Sequence, residues 1–179
     1  MSLSSEGTPE LVAFEQLVAE YGDRVYGIAL RVTGSPSDAE EVMQDAFLQA
    51  FRSWSSFRGE SAPTTWLYRI AVNAALMRVR SRRDTERLSE RDEGDEVVDW
   101  TEDAAQAVVR GELRQQLENG ITRLPEYLRV ALILRDVEGL STAETAAALD
   151  LSEATVKSRL HRARVLLRGY LADLYARDE

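Results

Sequence analysis

EGLSTAETAAALDLSEATVKSRLHRARVLLR, residues 138–168, predicts two helices joined by a tight turn. Ser141 is followed three positions later by Glu144, which is the capping-box pattern that starts a helix, here a short and alanine-rich one. Residues 150–152 end this helix, and the serine among them is a candidate N-cap for the next. The glutamate after that serine places a negative charge at the positive end of a second, longer helix.

The second helix is expected to have two different faces. By the helical repeat, one narrow face carries Val156, Leu160, Ala163 and Leu167. The opposite side carries Lys157, Ser158, His161, Arg164 and Arg168, with Arg162 beside them. A helix that packs on a short partner and turns cations outward has the geometry of a helix-turn-helix recognition helix, which enters the DNA major groove. The alternative interpretation is an ordinary amphipathic helix with a solvated basic face.

The composition limits the classes of protein to consider. The chain has 179 residues, enough for one ordinary domain or two small ones. No apolar run approaches the length of about 20 residues that spans a bilayer, and no secretory leader pattern begins the chain, so we expect a cytoplasmic protein without membrane insertion. Because the chain has no cysteine and a single histidine, His161, we expect no metal site, no cofactor and no enzyme activity.

The charge distribution matters more than its sum. The net charge is -9, which by itself argues against DNA binding. However, the second helix of residues 138–168 concentrates cations, whereas residues 92–103 are strongly acidic. Exposed charges farther apart than a Debye length of about 8 Å are largely screened, so the local basic field decides contact with phosphate. The acidic excess still predicts weak unassisted affinity for DNA.

The first part of the chain carries helical patterns separated by breaks. Apolar residues recur at helical spacing from Pro9 to Val32, and Gly34 ends that pattern. Ser35 is a candidate N-cap with Pro36 at the first helical position of the next helix, which continues to Trp54. Residues 53–63 are expected to form a loop.

A third helical pattern, residues 65–83, is apolar around most of its circumference, Trp66 and Met77 included. Arg69, Asn73 and Arg80 form one thin polar stripe on it. So wide an apolar surface predicts a helix packed on more than one side, where Trp66 is a core residue. Its end carries a basic tail suited to a nucleic-acid backbone: Arg78, Arg80, Arg82 and Arg83.

The chain changes character after this helix. Residues 84–103 are charged and lack a sustained period, which is typical of a flexible acidic linker. Helical patterns return from residue 104, and Pro125 opens another helix before residues 138–168. We therefore expect four helices, a linker and four helices. The fold class is all-α: two small helical bundles joined by a flexible linker, the second containing the helix-turn-helix.

Three segments in this order resemble the extracytoplasmic function (ECF) sigma factors of bacterial RNA polymerase. They are SDAEEVMQDAFLQAF (37–51), TWLYRIAVNAALMRVRSRR (65–83) and LPEYLRVALILRDVEGLSTAETAAALDLSEATVKSRLHRARVLLR (124–168). The resemblance implies a domain at 8–83 for core polymerase and the minus-ten promoter element, a linker at 84–103, and a domain at 104–176 for the minus-thirty-five element. It also implies an alternative sigma factor that nucleates promoter melting for transcription initiation.

The resemblance assigns roles to individual residues. Contacts to the clamp of the largest polymerase subunit fall on Glu41, Gln44, Asp45 and Leu48. Contacts to the minus-ten element fall on Phe57 and Arg58 in a base-capturing loop, and on Arg69, Asn73 and Arg80. The alternative for Asn73 is a polar residue of the core. Contacts to the minus-thirty-five element fall on Lys157, Ser158, Arg159, His161, Arg162, Arg164 and Arg168, of which Arg162 is suited to guanine and Lys157, Arg159, Arg164 and Arg168 to phosphates. Pro63 and Thr64 depart from the family pattern of that loop, which leaves the promoter preference open.

Two further expectations concern partners. Because the faces for DNA and polymerase are exposed on a free chain, we expect an anti-sigma factor to clamp the two bundles until a signal arrives. The competing hypothesis is an autonomous helix-turn-helix repressor or activator. Such proteins usually dimerise on paired half-sites, so a monomer without tight duplex binding of its own counts against that hypothesis.

Overall fold

The structure, a computed structural model, describes residues 9–57, 62–89 and 107–175. Its α-helices are α1 (Pro9–Thr33), α2 (Pro36–Ser53), α3 (Pro63–Ser89), α4 (Ala107–Arg123), α5 (Glu126–Leu132), α6 (Thr142–Leu149) and α7 (Glu153–Tyr175). A 3-10 turn (Trp54–Ser56) follows α2, and a π-helical turn (Ile133–Val137) follows α5. These ranges contain no strand, which confirms the all-α class. None of their helices is long and apolar enough to cross a bilayer.

The first half is a bundle of α1, α2 and α3, which all pack on one another. The expectation of four helices before the linker is wrong: the described residues of this half form three α-helices and the 3-10 turn. The apolar pattern from Pro9 runs without a break through Gly22 and Gly27 to Thr33, so it forms one long helix. The start of α2 is as expected, because the Ser35 hydroxyl accepts from the Asp38 amide at 3.4 Å and proline follows the cap.

Helix α3 is longer than the sequence pattern indicated. Pro63, which we expected in the loop, begins the helix because proline lacks only an amide that the first helical position leaves unbonded. Residues 84–89, which we assigned to the linker, continue the helix, since they contain neither glycine nor proline. Residues 90–103 of the expected linker lie outside the described residues.

The second half contains the four expected α-helices, α4 to α7. The capping box is present: the Ser141 hydroxyl accepts from the Glu144 amide at 3.1 Å, and the Glu144 carboxylate accepts from the Ser141 amide at 2.7 Å. Asp150 ends α6 in the left-handed conformation, with φ 54°. The Ser152 hydroxyl then accepts from the Thr155 amide at 3.2 Å and caps α7, as the sequence predicted.

The helix-turn-helix has a small core of its own. Ala131 of α5, Ala146 of α6, and Val156 and Leu160 of α7 form a separate buried cluster. Helix α5 does not continue regularly into the turn, because the Glu138 amide bonds to the Ile133 carbonyl, five residues back, at 2.9 Å. The motif is therefore packed on α5 through this cluster, while Ala148 of α6 and Ala163 of α7 belong to the larger core.

The two halves also pack on each other. Helix α3 contacts α6 as well as α1 and α2, so it is packed on several sides as its wide apolar surface predicted. The larger hydrophobic core is continuous from α1, α2 and α3 into α4 and α5. Arg31 of α1 and Glu118 of α4 form a two-point ion pair at 2.8 Å and 2.6 Å, with side chains only 13% and 7% exposed. Arg129 of α5 donates to the Val32 carbonyl of α1 at 2.6 Å.

Candidate nucleic-acid interface

Helix α7 has the two faces that its sequence predicted. Val156, Leu160 and Ala163 are buried and Leu167 is partly buried, which leaves the other side of the helix outward. The outward side carries six of the seven candidate contacts to the minus-thirty-five element, all exposed: Lys157, Ser158, His161, Arg162, Arg164 and Arg168. The helix can therefore present cations to a groove without unpacking from α5 and α6.

Four of these residues line one hollow. We call Lys157, His161, Arg164 and Arg168 the cationic stripe, because their spacing puts them in one row along α7. The stripe borders a shallow hollow of about 370 Å³, together with Arg135 of the π-helical turn and Thr142 of α6. Ser158 and Arg162 do not line it. By the helical repeat they lie farther round the helix, where they face solvent.

Arg159 is separated from the other candidate contacts. Its guanidinium lies 5.4 Å from the centroid of the Tyr127 ring, and it donates to the Tyr127 carbonyl at 3.4 Å. Arg159 is accordingly half-buried. It lies at the edge of the buried face of α7, on the side away from the cationic stripe. A cation stacked on a ring gains a further attraction, so Arg159 is tied to α5 more firmly than a solvated side chain.

Asp136, in the π-helical turn, is a residue that the sequence analysis did not identify. Its carboxylate accepts from Arg164 Nε at 2.8 Å and from Arg164 Nη2 at 2.7 Å. This hydrogen bonding raises the pKa of the Arg164 guanidinium above its ordinary value. The two residues are 28 positions apart, and no local sequence pattern signals such a pair. The same reason applies to Arg135 and Thr142, which reach the hollow from other elements.

A second exposed row lies on α3. Arg69, Asn73 and Arg80 are exposed, as expected for a polar stripe. Met77 belongs to the same row and is 69% exposed, so its assignment to the apolar surface is wrong. The helix turns that residue away from both α1 and α2 because it falls between Asn73 and Arg80 in the helical repeat.

Aromatic side chains occupy the beginning of that row. Phe57 lies 4.9 Å from Trp66 and 6.3 Å from Trp54, measured between ring centroids, and the two tryptophans are 5.9 Å apart. Trp66 is thus a packed residue of the first half, as the sequence analysis expected. Phe57 is half-buried in the same cluster. Arg58, the other candidate of this loop, lies outside the described residues.

The basic tail of α3 is largely neutralised, contrary to the expectation that it is available to a nucleic-acid backbone. Asp38 of α2 accepts from Arg78 at 2.7 Å and from Arg82 at 3.1 Å. Arg83 pairs with Glu126 of α5 at 2.7 Å. Arg80 is exposed on the row described above. The carboxylates lie in other helices, which is why the sequence of the tail alone suggested free cations.

Helix α2 exposes the four candidate contacts to polymerase on one face. Glu41, Gln44, Asp45 and Leu48 follow a helical spacing, and all are exposed, Leu48 by 47%. Glu41 also pairs with Arg78 of α3 at 2.8 Å. On this face Leu48 is an apolar side chain among acidic and polar ones.

Comparison with known proteins identifies the two halves. Residues 17–85 match the family model for sigma-70 region 2, and residues 114–167 match the model for sigma-70 region 4. The chain is 39% identical over 159 residues to the RNA polymerase sigma-H factor of Pseudomonas aeruginosa, covering 85% of this chain and 82% of that protein. It is 38% identical over 172 residues to the ECF RNA polymerase sigma-E factor of Escherichia coli K12, covering 92% and 90%.

Solved structures agree at the level of the fold. The sigma factor RpoE in complex with the anti-sigma factor NepR from Bartonella quintana aligns with a TM-score of 0.74 at 23% identity, covering 89% of this chain and 97% of that one. CnrH in complex with the cytosolic domain of CnrY aligns with a TM-score of 0.65 at 26% identity, covering 91% and 90%. With regions 2 and 4 in family order and relatives matched over most of their length, the chain belongs to the ECF sigma factors of the sigma-70 family.

Proposed function

We propose that this chain, an alternative sigma factor that directs promoter-specific transcription initiation with RNA polymerase, divides promoter recognition between its two halves. Residues 8–89 bind core polymerase and the minus-ten element, residues 104–176 bind the minus-thirty-five element, and residues 90–103 connect them. The order of the two sigma-70 matches supports this division. The observation that carries it is the exposed outer side of α7, a recognition helix held by a capped partner helix and a buried cluster shared with α5.

Recognition of the minus-thirty-five element falls on the outer side of α7. Arg162 and Ser158 are exposed and lie near the N-terminal half of the helix, where a recognition helix contacts base edges. A bidentate contact from Arg162 to guanine contributes about 1–3 kcal/mol of discrimination. The remaining cations, Lys157, Arg159, Arg164 and Arg168, are the candidate phosphate contacts, and Arg164 is paired with Asp136 in the free chain. His161 lies between the two groups. Base contacts select the sequence, whereas phosphate contacts set the register.

Recognition of the minus-ten element falls on the row of α3 and the aromatic loop before it. Exposed Arg69, Asn73 and Arg80 supply donors along one side, and Phe57 and Arg58 lie at its start. Melting five base-pair steps costs about 7 kcal/mol, at about 1.4 kcal/mol per step. Capture of one base returns about 1–3 kcal/mol. One or two captured bases do not meet that cost, so opening a promoter requires the polymerase.

The polymerase contact is the face of α2 formed by Glu41, Gln44, Asp45 and Leu48, which binds the clamp of the largest subunit. This face, the row of α3 and the outer side of α7 are all exposed while the two halves are packed together. A chain with three such surfaces is suited to an inhibitor that covers them. An anti-sigma factor is therefore the expected regulatory partner, as in the two complexes that share this fold.

In vitro transcription with bacterial core polymerase tests the proposal. We expect start-site-specific transcripts from promoters found by mapping transcript starts after overproduction of the protein. Arg162→Ala should lower transcription from a promoter with an intact minus-thirty-five element and change little when that element is scrambled. Glu112 is an exposed residue of α4, and Glu112→Ala is the matched control that should behave as the parent. Absence of defined start sites on every genomic fragment contradicts the proposal.

A further inference from the structure

The cationic stripe contains one cation that is already paired. Among the described residues, Arg164 is the member of the stripe with a carboxylate within ion-pair distance, that of Asp136 at 2.7 Å. Lys157, His161 and Arg168 border the same hollow, and the residues around it contribute no acid of their own. A single acidic side chain therefore changes the charge of the whole stripe.

The geometry of this pair uses the part of the guanidinium that recognises anions. Arginine has five N–H donors, and an anion bound in a two-point contact occupies one edge of the fork. Asp136 occupies the Nε–Nη2 edge with two hydrogen bonds of 2.8 Å and 2.7 Å. The pair as a whole carries no net charge, so its contact with a phosphate would release few counterions from the DNA and add little affinity.

The π-helical turn is what brings Asp136 to this place. In this turn, at the end of α5, the Glu138 amide donates to the Ile133 carbonyl, five residues earlier in the chain. Its polar residues Arg135 and Asp136 come to the side of α7 that carries the stripe. Turns of this kind frequently occur at functional sites.

We propose that Asp136 withholds Arg164 from phosphates and so lowers the affinity of the chain for DNA of any sequence. Ser158 and Arg162, which carry the base contacts under the proposed function on which this inference rests, lie outside the hollow. Asp136 therefore weakens binding to all sequences while it leaves base discrimination intact. The ratio of promoter binding to non-specific binding is then unchanged, and what Asp136 lowers is the absolute affinity of the chain for DNA.

The test is the salt dependence of binding to a scrambled duplex. Full-length parent and Asp136→Asn chains are titrated onto a fluorescein-labelled 20-base-pair duplex, with anisotropy as readout, between 50 and 200 mM salt. One added phosphate contact steepens the slope of log K against log salt by about 0.9. The variant should therefore bind more tightly, and its advantage should shrink about 3.5-fold across this fourfold range of salt.

Two controls separate release of Arg164 from a simple change of charge. Glu112→Gln removes one negative charge from an exposed residue of α4 in the same half. It should leave the slope of log K against log salt unchanged. In an Arg164→Gln background, Asp136→Asn should add no further slope, because the cation to be released is missing. Thermal unfolding midpoints of the variants should match those of their parents, since the pair is on the surface, with side chains 51% and 31% exposed.

The alternatives have distinct outcomes. If Asp136→Asn binds more weakly than the parent, Asp136 orients Arg164 toward DNA and the inference is wrong. An unchanged slope, or no binding by the variant up to about 10⁻⁴ M protein, also overturns it. When the parent still directs start-site-specific transcription with core polymerase, such a result concerns Asp136 alone. Loss of defined start sites in the parent concerns the proposed function instead.

Discussion

Replacement of Glu118 by alanine should weaken the packing of the two halves by about 3 kcal/mol. The Arg31–Glu118 pair joins α1 to α4 through two hydrogen bonds, and both side chains are largely buried. Breaking a buried pair by removing one partner costs about 3–5 kcal/mol, because a charge remains in a poorly solvated place. We take the lower end because Arg31 keeps 13% exposure and makes additional interactions. That free energy is about a 150-fold change in the equilibrium between packed and separated halves.

The assay is urea unfolding followed by two probes. In a Trp100→Phe background the remaining tryptophans, Trp54 and Trp66, report on the first half, whereas far-ultraviolet circular dichroism reports on all helices. If the halves unfold together in the parent, the two transitions coincide. In Glu118→Ala they should separate, since each half then unfolds more independently.

Two further variants make the result interpretable. Glu112→Ala removes the same side chain from the exposed side of the same helix, so its effect should stay within about 0.5 kcal/mol. The double exchange Arg31→Glu with Glu118→Arg should recover part of the loss, because the opposite charges meet again. The reasoning is refuted if Glu118→Ala unfolds within about 0.5 kcal/mol of the parent with coincident transitions.

Three other predictions concern the turn around the helix-turn-helix. Ser141→Ala removes the hydroxyl that accepts from the Glu144 amide and should cost about 1 kcal/mol in urea unfolding. Gly139→Ala should cost about 1–2 kcal/mol in the same assay, because φ there is +76° while the added Cβ would meet nothing within 4 Å. Burial raises the pKa of Glu138. The folded chain therefore keeps a proton that the unfolded chain loses near pH 4.3. As a result, the free energy of unfolding of the parent falls as pH rises through the folded pKa. Glu138→Gln lacks that loss, and its stability relative to the parent should increase from pH 4 to pH 7; a constant difference contradicts the assignment.

Local signals in the sequence predicted local structure well. The caps at Ser35, Ser141 and Ser152 depend on hydrogen bonds across three residues, and each is present. The faces of α7 follow from the helical repeat alone. The length of α3 was underestimated because the charged residues 84–89 lack an apolar period, although nothing in them ends a helix. Absence of an apolar face indicates exposure and does not indicate a break.

Contacts between elements that are distant in the chain could not be predicted from the sequence. Arg31 and Glu118 are 87 residues apart, and Arg78 and Asp38 are 40 residues apart, so neither pair leaves a periodic trace. The neutralised tail of α3 and the packing of the two halves both depend on such pairs. The pairing of Arg164 with Asp136 depends in addition on the π-helical turn, whose sequence resembles that of an ordinary helix end. Residues could be assigned to faces, but their ionic partners could not.

The continuous core between the halves has a consequence for thermodynamic linkage. Promoter elements 25 base pairs apart are about 85 Å distant along the duplex, whereas a compact chain of this length has a radius of gyration of about 16 Å. Under the proposed division of promoter recognition, the two halves can contact both elements only after the core between them has separated. On the same proposal, binding to polymerase supplies the free energy for that separation, and the apparent affinity for polymerase is the intrinsic affinity multiplied by the fraction of chains that are open. In that case, a substitution that weakens the packing of the two halves raises the apparent affinity for polymerase. Stable packing within the free chain and tight assembly with polymerase then oppose each other.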